Sequence, residues 1–179
     1  SVTVTTREGN QQVDKDEQPF LAKPEKIPHL KPAFREGGTV TAANSSSISD
    51  GAAALSLASR AAVTAHNLDV KAQICGHAGF AHAPGWFTTA PIFAARKLLK
   101  KLGWQASDVD VWEVNEAFAV VAMAFIRELG IDPKHVNIHG GACALGHPIG
   151  ASGARILVSL LNALKQSGGS NCLLYTSPS

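Results

Sequence analysis

A run of small residues from His139 to Gly153, reading HGGACALGHPIGASG, constrains this chain more than any other stretch. It holds five glycines, and backbone without side chains can approach another backbone or a ligand very closely. The residues that follow, ARILVSLLNAL, predict a helix over 150–166 that ends at the Gly168-Gly169 pair. A short strand is predicted over 136–138, so the glycines form a loop that leads from a strand into a helix. The imidazole of His147 projects from this loop, which is a plausible scaffold for a reactive site.

A second motif, NEAFA, occupies residues 115–119. It follows an alternating segment, 109–114, which predicts a strand, and it opens an apolar segment that predicts a buried helix to about Leu129. Spacing alone leaves two interpretations of Asn115, which is either a plain helix N-cap or a functional residue at the end of the strand.

The two motifs together resemble those of the thiolase family. GHPIGASG is similar to the sequence around the catalytic histidine of thiolases, NEAFA matches their second motif, and the resemblance runs from about residue 1 to residue 169. It implies a thiolase-like layered α/β fold with a mixed sheet, of which this chain supplies the C-terminal half only. Residues 1–49 would end the loop domain, 50–70 would form the last helix and strand of the N-terminal core, and 71–179 would form an incomplete C-terminal domain. The helix in the second of these segments is predicted to run from Asp50 to His66. In the third segment a helix is predicted over 91–102, with its basic residues on a solvated face.

The resemblance also implies roles for individual residues. His147 would activate the nucleophilic cysteine and contribute to an oxyanion hole, which a water held by Asn115 would complete. Ser46 would lie beside the pantetheine arm of coenzyme A, and Ala117 and Phe118 would lie next to the pantetheine of the substrate. The reaction would condense two acetyl-CoA molecules to acetoacetyl-CoA and coenzyme A, or run in the reverse direction.

Simpler interpretations stand beside these. A histidine such as His147, taken singly, is more often a hydrogen-bonded core residue, and serines such as Ser46 often only form turns. A β-ketoacyl synthase is the nearest alternative, but NEAFA and the single HPIG loop favour a thiolase. A non-catalytic acyl-CoA-binding remnant is a third possibility. The loss of catalytic cysteines favours it, and the retention of His147 and Asn115 argues against it.

The three cysteines, Cys75, Cys143 and Cys172, do not match the catalytic cysteines that the family implies. The acylated cysteine of thiolases belongs to a half with no counterpart here, and the second belongs to a Cys-x-Gly-Gly-Gly motif. Cys172 is near the expected place, but two leucines follow it instead of glycines. The tail from about Ser170 is atypical enough to suggest a truncated or misjoined reading frame. The chain alone is therefore predicted to be inactive.

Composition narrows the partners and the cellular location. A net charge of +2 gives no reason to expect nucleic acid or a membrane surface as a partner, and no apolar run approaches the roughly 20 residues that span a bilayer.

His77 and His82, five residues apart in a segment predicted to be a strand over 72–83, would point to opposite faces, so no metal site is expected. No cofactor is implied, because the coenzyme A thioester is the substrate. A cytoplasmic location is expected, with a mitochondrial one left open, and the family implies a homo-oligomer.

Overall fold

The computed structural model describes residues 1–176, so the prediction about the atypical tail lies outside the described residues for positions 177–179. An antiparallel hairpin begins the chain, and a parallel pair of strands lies in the C-terminal part. The strands are β1 (Val2–Thr6), β2 (Gly9–Val13), β3 (Val111–Val114) and β4 (Cys172–Tyr175). The α-helices are α1 (Gln18–Leu21), α2 (Arg60–His66), α3 (Ala90–Leu102), α4 (Ala119–Leu129), α5 (Ala142–Leu145) and α6 (Ile149–Ser167).

The core is built around β3, all four residues of which are buried. Side chains alternate along a strand, so its two faces pack against different helices. Trp112 and Val114 pack with apolar residues of α3 and α4, and the ring of Trp112 meets that of Phe125 edge-on at 5.5 Å between centroids. Val111 faces the other way and packs with Leu160 in α6. Strand β3 is thus covered by helices on both faces, as expected of an α/β layer.

Three predicted elements are present nearly as expected. Helix α3 matches the solvated amphipathic helix predicted over 91–102, α6 matches the helix predicted over 150–166, and β3 lies within the strand predicted over 109–114. Each of these helices ends at a glycine in the left-handed conformation, Gly103 for α3 and Gly168 for α6. A glycine takes that conformation without steric cost, which makes it the preferred stop signal.

The helix predicted from Asp50 to His66 is much shorter than expected. Only α2, Arg60–His66, is helical, and residues 50–59 have no regular structure. Ser59 is the N-cap instead of Asp50, since its hydroxyl accepts a hydrogen bond from the backbone N–H of Ala62. Short helices in water depend on packing an apolar face, and no residue of α2 is buried. The composition of this stretch predicted a helix for which the described chain offers no packing surface.

The prediction of a strand over 72–83 is also wrong. The segment is irregular and largely exposed, and it lies along α3 without pairing to a strand. The side chain of Lys97 donates a hydrogen bond to the carbonyl of Gly79, and Phe80 stacks on Phe93 at 4.7 Å between centroids. An extended segment becomes a strand only when a neighbouring strand satisfies its backbone groups. Here side chains of α3 contact the segment instead of a strand.

Two smaller expectations are corrected near the NEAFA motif. Asn115 does not cap α4, because the helix begins at Ala119 and its N-cap is Phe118. Helix α4 is also not buried all round, since Val120 and Met123 are exposed. The described part of the chain packs against one side of this helix only, so its apolar circumference exceeds the surface that is available to cover it.

No helix within residues 1–176 is both long and apolar enough to cross a membrane.

Candidate active site

The segment from Ser45 to Ser49, here called the serine segment, lies between the two motifs and contacts both. On one side, the backbone N–H and the hydroxyl of Ser46 both donate hydrogen bonds to the carbonyl of Ala117, at 3.1 and 3.2 Å. Ser45 forms an antiparallel bridge with Phe118. The structure therefore brings together the three residues predicted to contact substrate, Ser46, Ala117 and Phe118.

The other side of this segment contacts the glycine-rich loop. The backbone N–H of His147 donates to the carbonyl of Ser47 at 2.9 Å, and His147 forms a parallel bridge with Ile48. Gly146 has a φ of +94°, and a Cβ at that position would lie 2.3 Å from the Ser49 hydroxyl. Only glycine fits there, for conformational and steric reasons together. The serine segment thus joins the His147 loop to the NEAFA loop.

Ser152 orients the imidazole of His147. The Nδ1 atom of His147 lies 2.6 Å from the Oγ of Ser152, and this buried hydroxyl donates to the carbonyl of Pro148 at 3.1 Å. A serine hydroxyl has one proton. If that proton goes to Pro148, Ser152 accepts at the other contact, so Nδ1 of His147 carries hydrogen. This assignment, made from the hydrogen-bond network, leaves the Nε2 lone pair available to accept a proton.

Burial lowers the pKa of His147, and the positive charge of Arg155 lowers that pKa further. The pKa of an unperturbed histidine is about 6.5, so both causes favour the neutral imidazole at pH 7. A neutral ring with a free Nε2 lone pair is the state that a general base requires.

Asn115 is held at the carboxyl end of β3 with its side chain unpaired. Its backbone N–H donates to the carbonyl of Tyr175 at 3.0 Å, which extends the pairing of β3 with β4. The residue is 3% exposed, and neither Oδ1 nor Nδ2 has a hydrogen-bond partner in the described part of the chain. A buried amide without a partner is costly and uncommon. This amide is suited to bind a water or a polar group of a ligand.

Glu116, within NEAFA, fastens the glycine-rich loop to the end of β3. Its Oε2 accepts from the backbone N–H of Cys143 at 3.1 Å, and its Oε1 accepts from the side-chain amide of Asn137 at 2.7 Å. A Cβ on Gly141 would overlap the carboxylate, at 2.1 Å from its Cδ. Sequence reasoning missed the roles of Glu116 and Ser152, although both lie inside the motifs that drew attention to the site.

The prediction of a short strand over 136–138 is wrong, because Asn137 interrupts the segment. Its φ is +49°, a left-handed conformation that ends any strand. Its amide oxygen accepts from the backbone N–H of Val114 at 2.8 Å, and its amide nitrogen donates to the Val114 carbonyl at 3.0 Å. One side chain therefore pairs with the backbone of β3, and only Val136 forms a bridge, to Trp112.

Comparisons with known proteins match two family domains to this chain. The thiolase C-terminal domain matches residues 68–176, and the thiolase N-terminal domain matches residues 1–61. The chain belongs to the thiolase family. Among curated relatives, acetyl-CoA acetyltransferase 1 of Arabidopsis thaliana is 51% identical over 171 residues, covering 94% of this chain and 41% of the relative. The acetyl-CoA acetyltransferase of Yarrowia lipolytica is 49% identical, covering 92% of this chain and 42% of the relative.

Solved structures give the same family and confirm the layered thiolase-like α/β fold. The acetyl-CoA acetyltransferase of Bacillus anthracis superposes with a TM-score of 0.87 at 41% identity, covering 93% of this chain and 43% of that one. The Ascaris suum thiolase in complex with coenzyme A superposes with a TM-score of 0.79 at 43% identity, covering 85% and 40%. This thiolase chain therefore spans about two fifths of the length of the relatives that it matches.

Two of the cysteines of this thiolase chain, Cys143 and Cys172, are not activated in the structure. Burial, followed by the nearby carboxylate of Glu116, raises the pKa of Cys143 to about 12. Burial also raises the pKa of Cys172, which packs beside Val111 and Leu160 in the core. Reactive cysteines have a lowered pKa, because the thiolate is the nucleophile. The environments of Cys143 and Cys172 therefore favour packing roles.

Residues 1–176 contain no group of three or more His, Cys, Asp or Glu side chains arranged to hold a metal ion. His77 and His82 lie in the irregular segment along α3, where the ring of His82 packs edge-on against Phe80 and Phe93.

Proposed function

We propose that the complete protein is an acetyl-CoA acetyltransferase, and that this chain contributes the base and part of the substrate pocket to its active site. The observation that carries the proposal is the His147–Ser152 contact, which occupies Nδ1 and leaves the Nε2 atom of the imidazole available. The sequence identity to acetyl-CoA acetyltransferases over most of this chain supports the same reaction. The substrate is an acyl thioester of coenzyme A, and no other cofactor is proposed.

In this mechanism the Nε2 atom of His147 accepts the proton of a cysteine thiol that this chain does not supply. The resulting thiolate attacks the thioester carbonyl, and the developing oxyanion accepts hydrogen bonds from the imidazolium and from a water bound to Asn115. Collapse of this intermediate breaks the bond to coenzyme A, whose thiolate leaves and takes up the proton. The unpaired, buried amide of Asn115 is consistent with that water-binding role.

Ser46, Ala117 and Phe118 are proposed to line the channel for the pantetheine arm. Their hydrogen bonds and bridge hold the serine segment against the NEAFA loop. Phe118 also meets Phe34 edge-on, at 5.6 Å between ring centroids, which fixes an aromatic wall on this side. An apolar wall with a few polar backbone groups suits a long, flexible thioester arm.

The 179-residue chain by itself is proposed to be inactive. Its thiols at 143 and 172 have raised pKa values, so neither replaces a catalytic cysteine at neutral pH.

The complete protein is proposed to form a homodimer or homotetramer. A cytoplasmic location is proposed, supported by three unpaired cysteines, with the mitochondrion as the alternative because bovine and mouse relatives are named mitochondrial.

A chimera tests this function. Residues 1–169 would replace the matching region of Arabidopsis acetyl-CoA acetyltransferase 1, and thiolysis of acetoacetyl-CoA by coenzyme A would be measured. We expect activity in the chimera and a loss of about 100-fold or more in kcat for His147→Asn, the usual contribution of general acid–base catalysis. Lys165→Met, an exposed change on α6, is the control and should retain activity. A folded chimera whose activity does not depend on His147 would contradict the proposal.

A further inference from the structure

Glu116 is the acidic residue of the NEAFA motif, and the proposed mechanism gives it no part. Both oxygens of its carboxylate accept hydrogen bonds. Oε2 accepts from the backbone N–H of Cys143 at 3.1 Å, and Oε1 accepts from the side-chain amide of Asn137 at 2.7 Å. The thiol of Cys143 also donates to the backbone carbonyl of Glu116, at 3.8 Å. These hydrogen bonds join the residue after Asn115 to the segment that precedes His147.

The carboxylate of Glu116 caps helix α5 (Ala142–Leu145) from outside the helix. The N-cap residue of α5 is Gly141, which has no side chain to accept the first free N–H groups of the helix. Cys143 is the second residue of α5, so Glu116 accepts from one of those groups. At Gly141 the backbone angles, φ −106° and ψ −171°, suit any residue. A Cβ there would nevertheless lie 2.1 Å from Cδ of Glu116, so the carboxylate requires glycine at this position.

Helix α5 carries the position of this contact to His147. The helix is a single turn, which the N–H of Gly146 closes by donating to the carbonyl of Ala142 at 2.9 Å. A closed turn fixes the backbone dihedral angles between its ends. His147 follows Gly146 directly, and its Nδ1 atom lies 2.6 Å from Oγ of Ser152. A shift of the first residues of α5 would therefore move the imidazole relative to Ser152.

The second partner of the carboxylate is anchored on β3. The Oδ1 atom of Asn137 accepts from the N–H of Val114 at 2.8 Å, and Nδ2 donates to the Val114 carbonyl at 3.0 Å as well as to Glu116. This pairing fixes Nδ2 as the amide atom that faces Glu116. Both groups that face the carboxylate are therefore donors. A carboxamide of the same shape has one acceptor and one donor, so glutamine at 116 would oppose a donor to a donor.

We propose that Glu116 is a positioning residue for His147. Its carboxylate, which Gly141 leaves room for, fixes α5 against the end of β3. This contact sets the separation of the imidazole from the amide of Asn115, the two groups that bind the oxyanion in the proposed mechanism. The inference rests on the proposed function in treating these two groups as the working pair. The placement of the ring can be measured without acyl transfer, so the two proposals can fail independently.

The test is NMR of the full 179-residue chain. Ring ¹⁵N shifts report the tautomer of His147, and hydrogen exchange reports the protection of the Cys143 amide. We expect Glu116→Gln to speed exchange at Cys143 by about 10-fold and to convert the single tautomer of His147 into a mixture. Glu128→Gln is the matched control, because Glu128 is an exposed glutamate that pairs with Arg96 on α3. It should change neither signal.

Gly141→Ala perturbs the same contact from the other side. Its methyl group would displace the carboxylate of Glu116, so we expect the same changes at Cys143 and His147 as in Glu116→Gln. In a Glu116→Ala chain the carboxylate is gone, and adding Gly141→Ala should cause little further change. Such non-additivity is expected of two residues that share one contact.

Faster exchange at Cys143 with an unchanged tautomer of His147 would show that Glu116 only caps α5, and would overturn the proposal. Unchanged exchange at Cys143 in Glu116→Gln, or additive effects of Gly141→Ala and Glu116→Ala, would overturn it too. If none of the variants at 116 and 141 folds, Glu116 is a structural residue and the proposal is wrong.

The chimera with Arabidopsis acetyl-CoA acetyltransferase 1 adds a kinetic measurement. Glu116→Gln should lower kcat by about 10- to 100-fold with little change in KM, because a displaced base slows the chemical step more than it weakens substrate binding. An unchanged kcat in a folded Glu116→Gln chimera whose activity depends on His147 would overturn the proposal. If activity does not depend on His147, the proposed function fails, and the NMR measurements still decide whether Glu116 positions the ring.

Discussion

Residues 90–176 and residues 1–89 of this thiolase chain differ sharply in burial. The later region contains every buried residue of the described chain, and the earlier region has none. Phe125 of α4 is completely buried, whereas Leu57, in an equally apolar stretch, is 75% exposed. The earlier region does not lack apolar side chains. It lacks a partner surface within the described chain, and its helix prediction failed for the same reason.

This contrast shows that amphipathic pattern and helix formation are separable. Helices α3 and α6 formed as predicted, because β3 presents an apolar face to each of them. The 50–66 stretch is rich in alanine and leucine, but only α2 is helical. Burial contributes about 25 cal/mol per Å² of apolar surface, and that contribution is missing where the surface stays in water. Stability should therefore be concentrated in the later region.

The largest expected effect is the loss of a core ring. Phe125→Ala should reduce the free energy of unfolding by about 3–5 kcal/mol, because it leaves a cavity between α4 and β3. Urea denaturation followed by circular dichroism would measure it. Phe20→Ala, at a position that is 77% exposed in the earlier region, is the matched control and should change stability by less than about 0.5 kcal/mol. Similar losses from both substitutions would refute the contrast between the regions.

The next effect is a pH dependence that originates at Glu113. Burial raises the pKa of Glu113 from 4.5 to about 7 in the folded chain, so the folded state binds more protons than the unfolded state between these values. Stability should therefore fall as the pH rises from about 4.5 to 7, by up to about 3 kcal/mol. Glu113→Gln should remove this decline and leave stability near pH 4.5 unchanged.

Glu25→Gln, at an exposed position of the earlier region, is the control for Glu113→Gln. Unfolding of each variant would be measured by urea titration from pH 4 to 8. A pH dependence that persists in Glu113→Gln, or disappears in Glu25→Gln, would show that the buried carboxyl is not its source.

The smallest effect compares two asparagines with left-handed backbone, Asn137 at φ +49° and Asn67 at φ +48°. Asn137→Ala loses side-chain hydrogen bonds to Val114 and Glu116 and strains the backbone, so we expect a loss of about 2 kcal/mol. Asn67 caps the exposed helix α2, and Asn67→Ala should cost about 1 kcal/mol or less in global stability. Equal losses, measured by urea denaturation, would mean that the two regions unfold as one unit.

The candidate site was more predictable than the fold of the earlier region. GHPIGASG and NEAFA indicated His147 and Asn115, and the structure joins their loops through the serine segment. The sequence pattern did not reveal the partners of those residues. The Ser152 hydroxyl reaches His147 because both flank the start of α6, and Glu116 reaches Cys143 because the loop folds back over β3. Such contacts depend on three-dimensional placement, which no local spacing encodes.

The sequence by itself determined the family, the local helix stops at Gly103 and Gly168, and the residue types present at the candidate site. These depend on motif identity and on the conformational freedom of glycine, both of which are local properties. Tertiary structure alone decided which apolar segments became regular elements and which ring nitrogen of His147 contacts Ser152. It also decided that Glu113 is buried next to Asn115, with no hydrogen-bond partner for its Oε1 atom within residues 1–176. Packing and desolvation arise from the whole arrangement of the chain, so they are not properties of any single segment.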